Sequence, residues 1–339
     1  MRQTWLSRTG RKRGRFSYVT SSGKAVSAAR AAQIDALAIP PAWTDVHIAA
    51  SERAAIQAWG FDARGRKQYR YHPNAVKRGQ RRKYYRVRQM ARDLPAIRRR
   101  VSEDFRRSDF SPEKVHAALI LLLADGFFRI GNDRYAKENG TFGLTTLSKS
   151  HVAVDGDRIS FDYVGKRSIR HRKTVVNRDL ARFVESLLTV PGRRLFRYQD
   201  GDRTWHKVES GEVNDYLQEI AGFPYSAKDF RTWGGTLRAA TVLGDIGAAE
   251  SEREAKKNVA TAIRLVAAEL GNTPTICRES YVHPVVIERY VDHGDTIRLP
   301  ASTNHRPARG SWTPEESALI QFLDEHFPDR RQRRRSGSE

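Results

Sequence analysis

The sequence predicts an α+β fold: a small N-terminal antiparallel β-sheet domain with helices, then a larger, mainly α-helical domain that holds a small β-sheet. Apolar residues alternate at period two in short segments before residue 72 and again over 141–176, which is typical of strands. Elsewhere they recur mostly at helical spacing. The chain of 339 residues, 39% of them hydrophobic, is long enough for two buried cores. The predicted boundaries are residues 1–85 for the first domain, 86–300 for the second, and 301–339 for a C-terminal linker, helix and basic tail.

Strand signals dominate the first domain. Residues 1–24 are basic and rich in Gly, Ser and Thr, which indicates a loose arm or an edge hairpin. The Ala-rich segment 25–38 has helical spacing, and two prolines stop it. A strand is predicted at 46–49, and residues 55–72 are predicted to form two strands around a turn at Asp62–Gly65.

Helical signals dominate the second domain from about Tyr84 onward. Ser111 and Pro112 form a cap and first-turn pair that opens an apolar helix through Phe128. Within 141–176 the segments TTLSK, HVAVD, RISFDYVGK and IRHRKTVV are predicted as strands. Further helices are predicted near Leu180 and at Gly211–Ile220, Lys228–Leu243, Glu252–Leu270 and Cys277–Tyr290, and a capping box at Thr313–Glu316 opens a last one.

Positive charge is concentrated at the front of the chain. Residues 1–100 hold 24 Lys and Arg against 5 Asp and Glu, a balance of +19. The other 239 residues hold 37 against 34, a balance of +3. Such a field favours polyanions, with nucleic acid the first expectation and an anionic membrane surface the second.

Several classes of protein are excluded by what the sequence lacks. No apolar run approaches the length of a membrane span, and the N-terminus has no apolar segment suited to a signal peptide. The single cysteine, Cys277, excludes a disulfide framework and a multi-cysteine zinc site. Gly165-Lys166 does not complete a Walker A motif, because Ser160 stands where its first glycine would be. We therefore expect a cytoplasmic protein with no metal and no cofactor.

Five residues of the second domain could carry phosphoryl chemistry without a metal: Arg129, Lys166, Arg231, Asn272 and Tyr281. Guanidinium groups offset charge that builds on nonbridging phosphate oxygens, and a lysine can protonate a departing oxygen. A phenol can be both nucleophile and leaving group. Taken singly, each residue also has an ordinary structural reading: a helix C-cap, a turn lysine, a first-turn surface arginine, a C-cap amide or a half-buried packing tyrosine.

The order of the motifs supports the catalytic reading. The strings are PPAWTDV, GRKQYRYHP, FRIGNDRYAKENGTFGLTTL, YVGK, KDFRTWGGT and GNTPTICRESYVHP, and they run from Pro40 to Pro284. In this order they resemble the type IB DNA topoisomerases of poxviruses and bacteria. The blocks at 128–147 and 228–236 are the most specific. The resemblance implies the catalytic fold that these topoisomerases share with tyrosine recombinases.

The resemblance also implies roles for individual residues. Tyr281 matches the nucleophile that becomes linked to a DNA 3′ phosphate, Arg129 and Arg231 match the two transition-state arginines, and Lys166 matches the general acid of a hairpin. Asn272 stands where the poxvirus enzymes have histidine; an amide can still donate a hydrogen bond but carries no charge. The residues that match DNA contacts in the first domain, or lie beside them, are Arg66, Lys67, Gln68, Tyr69 and Tyr71.

The expected protein is an ATP-independent, metal-independent topoisomerase. It would act as a monomer on double-stranded DNA, at the nucleoid and not at a membrane, with its two domains on opposite sides of the duplex. One alternative is a tyrosine site-specific recombinase, although such enzymes normally have His-x-x-Arg where this chain has Lys228-x-x-Arg231. The other is a non-catalytic basic protein that packages DNA or RNA.

Overall fold

The computed structural model describes residues 4–12, 15–299 and 310–327, and it confirms the α+β prediction. The chain divides into two compact units at Tyr84 and Tyr85. The first unit contains one antiparallel sheet in the order β2-β1-β3-β4-β5. Its elements are β1 (Trp5–Lys12), β2 (Arg15–Val19), α1 (Ala28–Asp35), β3 (Thr44–Ala49), β4 (Ile56–Phe61) and β5 (Lys67–Tyr71).

The first unit buries one face of its sheet beneath α1. Leu6, Val46, Ile48 and Ala58 come from three strands and pack with Ile34 of the helix. The residues between them in each strand therefore point to the opposite face, because strand side chains alternate. That face carries aromatic and cationic side chains, and it holds most of the predicted DNA contacts.

A long helix, α2 (Pro73–Phe105), begins eleven residues before the predicted start at Tyr84. The segment KRGQRRK at 77–83 carries no apolar residue, so no periodicity marks its helical turns. Pro95 lies inside this helix and cannot donate a hydrogen bond to the carbonyl of Ala91. The indole Nε1 of Trp312 donates to that carbonyl instead, at 2.8 Å.

The second unit is mainly helical. Its helices after α2 are α3 (Pro112–Gly126), α4 (Asp133–Asn139), α5 (Arg178–Thr189), α6 (Ser210–Ala221), α7 (Ala227–Ile246), α8 (Glu252–Leu270), α9 (Pro274–Ser280), α10 (Pro284–His293) and α11 (Pro314–His326). Its strands are β6 (Val152–Asp155), β7 (Arg158–Gly165), β8 (Ile169–Val176), β9 (Arg197–Gln199) and β10 (Trp205–Lys207). β6, β7 and β8 form a three-stranded antiparallel sheet, and β9 and β10 form a hairpin that the sequence did not predict. None of the helices in the described ranges is long and apolar enough to cross a membrane.

Two other predictions in this unit are wrong. The TTLSK segment was expected to be a strand, but two single-turn 3₁₀ helices occupy it and the residues that follow, at Leu144–Thr146 and Lys149–His151. The Thr146 hydroxyl accepts from the Gly143 amide at 2.9 Å, so a side chain closes the backbone locally where a strand would need a neighbour. The single helix expected over Cys277–Tyr290 is two helices, because Pro284 opens a new one.

The last helix, α11, belongs to the core of the second unit. Thr313 and Glu316 make the predicted capping box, with the Glu316 amide donating to the Thr313 hydroxyl at 3.2 Å. Leu319 and Leu323 are buried, and Arg98 of α2 forms a two-armed ion pair with Glu316 at 2.7 and 2.8 Å. The predicted linker and basic tail lie mostly outside the described residues.

Candidate active site

The loop that carries Arg129 begins where α3 stops. Phe127 adopts a left-handed conformation, with φ 49°, so the chain leaves the helix axis two residues before Arg129. Arg129 therefore lies on a loop and not at the end of the helix, as the sequence had suggested. The Leu144 amide donates to the Arg129 carbonyl at 2.9 Å and fixes this loop against the following segment.

Gly131 packs closely against the segment that follows the Arg129 loop. Its φ is 102°, and a Cβ there would lie 3.0 Å from the Thr145 hydroxyl and 3.1 Å from the Gly143 carbonyl carbon. The missing side chain therefore makes room for the protein's own loop, and that close packing supports the Arg129 backbone.

Arg231 is held at the start of α7. Asp229 caps that helix through the Ser226 amide and hydroxyl, each at 2.9 Å, and Arg86 pairs with the same carboxylate. The Arg231 side chain is only 3% exposed. Its guanidinium donates to the carbonyls of Phe127 and, at 2.8 Å, Leu270. Burial and the nearby positive charge of Arg129 lower the pKa of Arg231 to about 10, so it remains a cation at neutral pH.

Tyr281 ends α9 and does not lie within a helix. Its backbone has φ −128° and ψ −12°, and Pro284 starts the next helix three residues later. The Thr236 hydroxyl accepts from the His283 amide at 3.0 Å, and its single proton is shared between the carbonyls of Thr232, at 2.7 Å, and Tyr281, at 3.2 Å. Gly235 allows this approach, since a Cβ there would lie 2.9 Å from the same carbonyl oxygen. The turn holding the phenol is thus fastened directly to α7.

The Tyr281 phenol lies beside the guanidinium of Arg231, which is on α7. The Cζ atom of Arg231 lies 5.1 Å from the centre of the Tyr281 ring. Tyr281 is half-buried, which leaves part of the side chain open to solvent.

Asn272 connects to Arg129 just beyond the end of α8. Its Oδ1 accepts from Nη2 of Arg129 at 2.6 Å, and the same nitrogen donates to the Gly271 carbonyl at 2.9 Å. The Nδ2 atom of Asn272 is buried and has no hydrogen-bond partner among the described residues. Because a buried donor without an acceptor is costly, this amide nitrogen is a candidate donor to a bound substrate.

Lys166 stands apart from the other four predicted site residues. It is exposed in the tight turn between β7 and β8, where Arg167 and Ser168 both have left-handed backbones. Its ammonium makes no hydrogen bond or ion pair within the described ranges. The connection to the site runs through its neighbour Gly165, where a Cβ would lie 2.5 Å from the His171 ring. The structure therefore brings four of the five residues together and leaves the lysine on a nearby turn.

Comparison with known proteins indicates the family of this chain. A model of the eukaryotic DNA topoisomerase I catalytic core matches residues 73–300, and a model of the bacterial DNA topoisomerase IB N-terminal domain matches residues 15–62. The chain is similar to DNA topoisomerase 1B of Acanthamoeba polyphaga mimivirus, with 30% identity over 76% of this chain and 79% of that protein. The chain belongs to the type IB DNA topoisomerase family.

Viral topoisomerases of lower identity also match this chain. DNA topoisomerase 1 of Rabbit fibroma virus is 28% identical over 70% of this chain and 73% of its own length. DNA topoisomerase 1B of Vaccinia virus (strain Copenhagen) is 26% identical over 69% and 72%. The matched core contains all five predicted site residues of this topoisomerase, whereas Arg66–Tyr71 falls between the two matched segments.

The sequence reasoning missed two residues of this topoisomerase site, His171 and Lys173. Both lie on β8 and share its inner face with the buried Val175. Nζ of Lys173 donates to the carbonyls of Gly126 at 2.7 Å and Glu269 at 2.8 Å. The signal was present, since the alternation that predicted the strand puts both polar side chains on the apolar face.

Burial and positive charge shift the pKa of both residues downward. Burial, then Arg129, lowers the pKa of His171 to about 4, so its ring is neutral at pH 7. Its Nε2 lies 3.4 Å from Nη1 of Arg129. Burial, then Arg231, lowers the pKa of Lys173 to about 8. Burial and the positive charge of the site therefore disfavour the protonated forms of His171 and Lys173.

The predicted DNA-contact residues of the first unit divide between the two faces of its sheet. Tyr69 and Tyr71 are 39% and 52% exposed and stack at 5.8 Å, and Lys67 lies 3.6 Å above the Trp59 ring on the same face. Gln68 points the other way and donates to Asp62 at 2.9 Å. Arg66 also pairs with Asp62, at 2.8 Å. The exposed stripe therefore consists of Lys67, Tyr69 and Tyr71, joined by Trp59.

Proposed function

We propose that this protein relaxes supercoiled DNA without ATP or a metal, by transient cleavage of one strand through a 3′-phosphotyrosyl intermediate. One observation carries the proposal: the buried Arg231 guanidinium contacts the Tyr281 phenol, and the carbonyls that hold it adjoin the segment that holds Arg129 and Asn272. A nucleophile, two cations and an unpaired amide donor are the groups that phosphodiester transfer requires.

In the forward step the Tyr281 hydroxyl loses its proton to solvent, its oxygen forms a bond to phosphorus, and the bond from phosphorus to the 5′ oxygen breaks. Arg129 and Arg231 offset the charge that builds on the nonbridging oxygens, and Nδ2 of Asn272 donates a neutral hydrogen bond to one of them. Lys166 gives a proton to the departing 5′ oxygen, which requires the β7–β8 turn to approach the bound strand. The products are a 3′-phosphotyrosyl link and a free 5′ hydroxyl.

The reverse step restores the strand by the same chemistry. One phosphodiester replaces another in each direction, so little bond energy is lost and religation needs no ATP. While the strand is open, the duplex beyond the nick rotates under its own torsional strain, and supercoils of either sign are removed. Tyr69, Tyr71 and Lys67 supply an aromatic and cationic surface for the duplex, which we propose the protein binds as a monomer at the nucleoid.

The test compares the wild-type chain with Tyr281→Phe on supercoiled plasmid in EDTA without ATP. The wild type should relax the plasmid, and denaturation during the reaction should trap a protein–DNA adduct. Tyr281→Phe should bind DNA within about 3-fold of wild type and form no adduct, because it lacks the nucleophile. Tyr198→Phe is the matched control, since it removes another half-buried hydroxyl, one that donates to Glu212.

Two outcomes would contradict the proposal. An adduct formed by the Tyr281→Phe variant would mean that another residue attacks the phosphate. Relaxation that appears only when Mg²⁺ is added would mean that the four grouped side chains do not suffice for the chemistry.

A further inference from the structure

Two helices of the second unit end beside Tyr281, and their last carbonyls need donors. An α-helix leaves the carbonyls of its final turn without partners inside the helix. At the end of α3 these include Gly126 and Phe127, and at the end of α8 they include Glu269, Leu270 and Gly271. Basic side chains of the active site supply the donors to all five.

Lys173 and Arg231 bridge the same two helix ends in the same order. Lys173 donates to Gly126 at 2.7 Å and to Glu269 at 2.8 Å. At each helix end Arg231 donates to the carbonyl of the following residue, Phe127 or Leu270. At both helix ends, the carbonyl that accepts from Arg231 therefore follows directly in sequence the carbonyl that accepts from Lys173.

We propose that Lys173 is a positioning residue: it joins the ends of α3 and α8 and so holds the carbonyl pair that aims Arg231 at Tyr281. The inference rests on the proposed function of that site. Lys173 does not touch the phosphate and transfers no proton; it acts only through the backbone that holds Arg231.

Lysine suits this place because its ammonium has three donors on a compact head. Two go to the helix carbonyls, and the Phe128 ring lies 5.5 Å from Nζ. Without the ammonium, the Gly126 and Glu269 carbonyls would lack their donor inside the protein, and the two helix ends could separate. A shift of about 1 Å at a catalytic group can cost roughly 100-fold in rate.

Charged groups on several neighbouring elements affect the protonation of Lys173. Arg231 on α7 and Arg129 on the loop after α3 disfavour its charged form, and the Glu269 carboxylate on α8 favours it. Arg238 donates to that carboxylate at 2.9 Å, and the remaining neighbour on β8, His171, is neutral at pH 7. In the free protein the ammonium therefore loses its proton near pH 8, and the tie between the helix ends then weakens.

The experiment measures single-turnover cleavage of a nicked duplex substrate from pH 6.5 to 10, together with DNA binding and thermal stability. Lys173→Met should bind DNA within about 3-fold of wild type and cleave roughly 100-fold more slowly at pH 7. Lys173→Arg should retain cleavage within about 10-fold and keep its rate above pH 8, where the wild-type rate falls, because arginine stays protonated.

Lys114→Met is the matched control. Lys114 also joins two segments through a backbone carbonyl, that of Arg107, and burial lowers its pKa too, but it lies outside the site. Its cleavage rate should equal that of the wild type. If Lys173→Met is unstable, the pH profile of Lys173→Arg still decides the matter.

The outcomes separate the two proposals. If the wild type cleaves and Lys173→Met cleaves equally fast, or if Lys173→Arg shows the same alkaline decline as the wild type, the positioning role is wrong. If the wild type forms no adduct at any pH, the proposed function fails instead.

Discussion

Three basic side chains share a small buried space beside Tyr281. Burial and then Arg129 lower the pKa of Arg231, and burial together with both arginines lowers the pKa of Lys173. Buried like charges are costly, and backbone carbonyls offset only part of that cost. We therefore expect the candidate site to bind an anion, such as a backbone phosphate of DNA.

His171 makes the acid stability of the protein a test of this charge cluster. Its folded pKa of about 4 lies below the ordinary value of 6.5, so the unfolded chain binds more protons between those values. His171 should therefore contribute a decrease in the free energy of unfolding as the pH drops from about 6.5 to 4, of roughly 2 kcal/mol at pH 5. His171→Gln should lose this decrease, and His293→Gln, which removes an exposed histidine, should retain it. Equal acid sensitivity in all three proteins, measured by urea denaturation, would contradict the assignment.

At the scale of elements, α11 supports the helix that carries Arg231. Glu316 accepts from Arg98 of α2 and from the Trp233 indole of α7 at 3.5 Å, two residues after Arg231. The Trp312 indole donates to the Ala91 carbonyl of α2, which Pro95 cannot reach with an amide hydrogen. The C-terminal helix therefore ties α2 and α7 together.

The Trp312 contact can be measured with a double-mutant cycle. Trp312→Phe should lower the free energy of unfolding by about 1–3 kcal/mol, because it leaves the Ala91 carbonyl without its donor. In a Pro95→Ala background the helix supplies its own amide, so the same substitution should cost less. Equal costs in both backgrounds, determined by chemical denaturation, would mean that packing of the indole matters and the hydrogen bond does not.

At the scale of the whole molecule, positive charge is concentrated in the first part of the sequence, and the candidate site residues lie in the rest. Residues 1–100 carry +19, and the remaining residues, which contain Tyr281, carry +3. The start of α2 contributes an exposed basic stretch that includes Lys77, Arg78 and Arg82. Such charges bind phosphates without regard to sequence and make binding depend on salt.

Replacing Lys77, Arg78 and Arg82 together with Gln should weaken DNA binding and reduce the slope of log K against log salt by about 2–3. Cleavage by the bound complex should not change, since these side chains are outside the site. Replacing Arg253, Lys257 and Arg264 of α8 alters net charge equally, but Glu252 and Glu254 lie among them, so the slope should change less. Fluorescence anisotropy from 50 to 300 mM salt would measure both. An equal slope change would mean that only net charge matters.

The sequence predicted most helices and strands because their apolar residues follow a regular period. It misjudged the start of α2, where six polar residues and a glycine give no apolar period, and the TTLSK segment, where a threonine hydroxyl replaces a strand partner. It also joined α9 to α10 across Pro284. Each error lies where a local side chain or a tertiary contact outweighs periodicity.

The sequence by itself determined the α+β class, the charge separation and the residue types of the site, because composition, period and motif order are local properties. Only the tertiary structure decided that Tyr281 sits on a turn fastened to α7, that Lys166 lies apart, and that Lys173 belongs to the site. The last of these facts depends on carbonyls at the ends of α3 and α8 that are far apart in the chain. Their hydrogen bonds form only when both helices end at the same point in space, and no local pattern of residues records that.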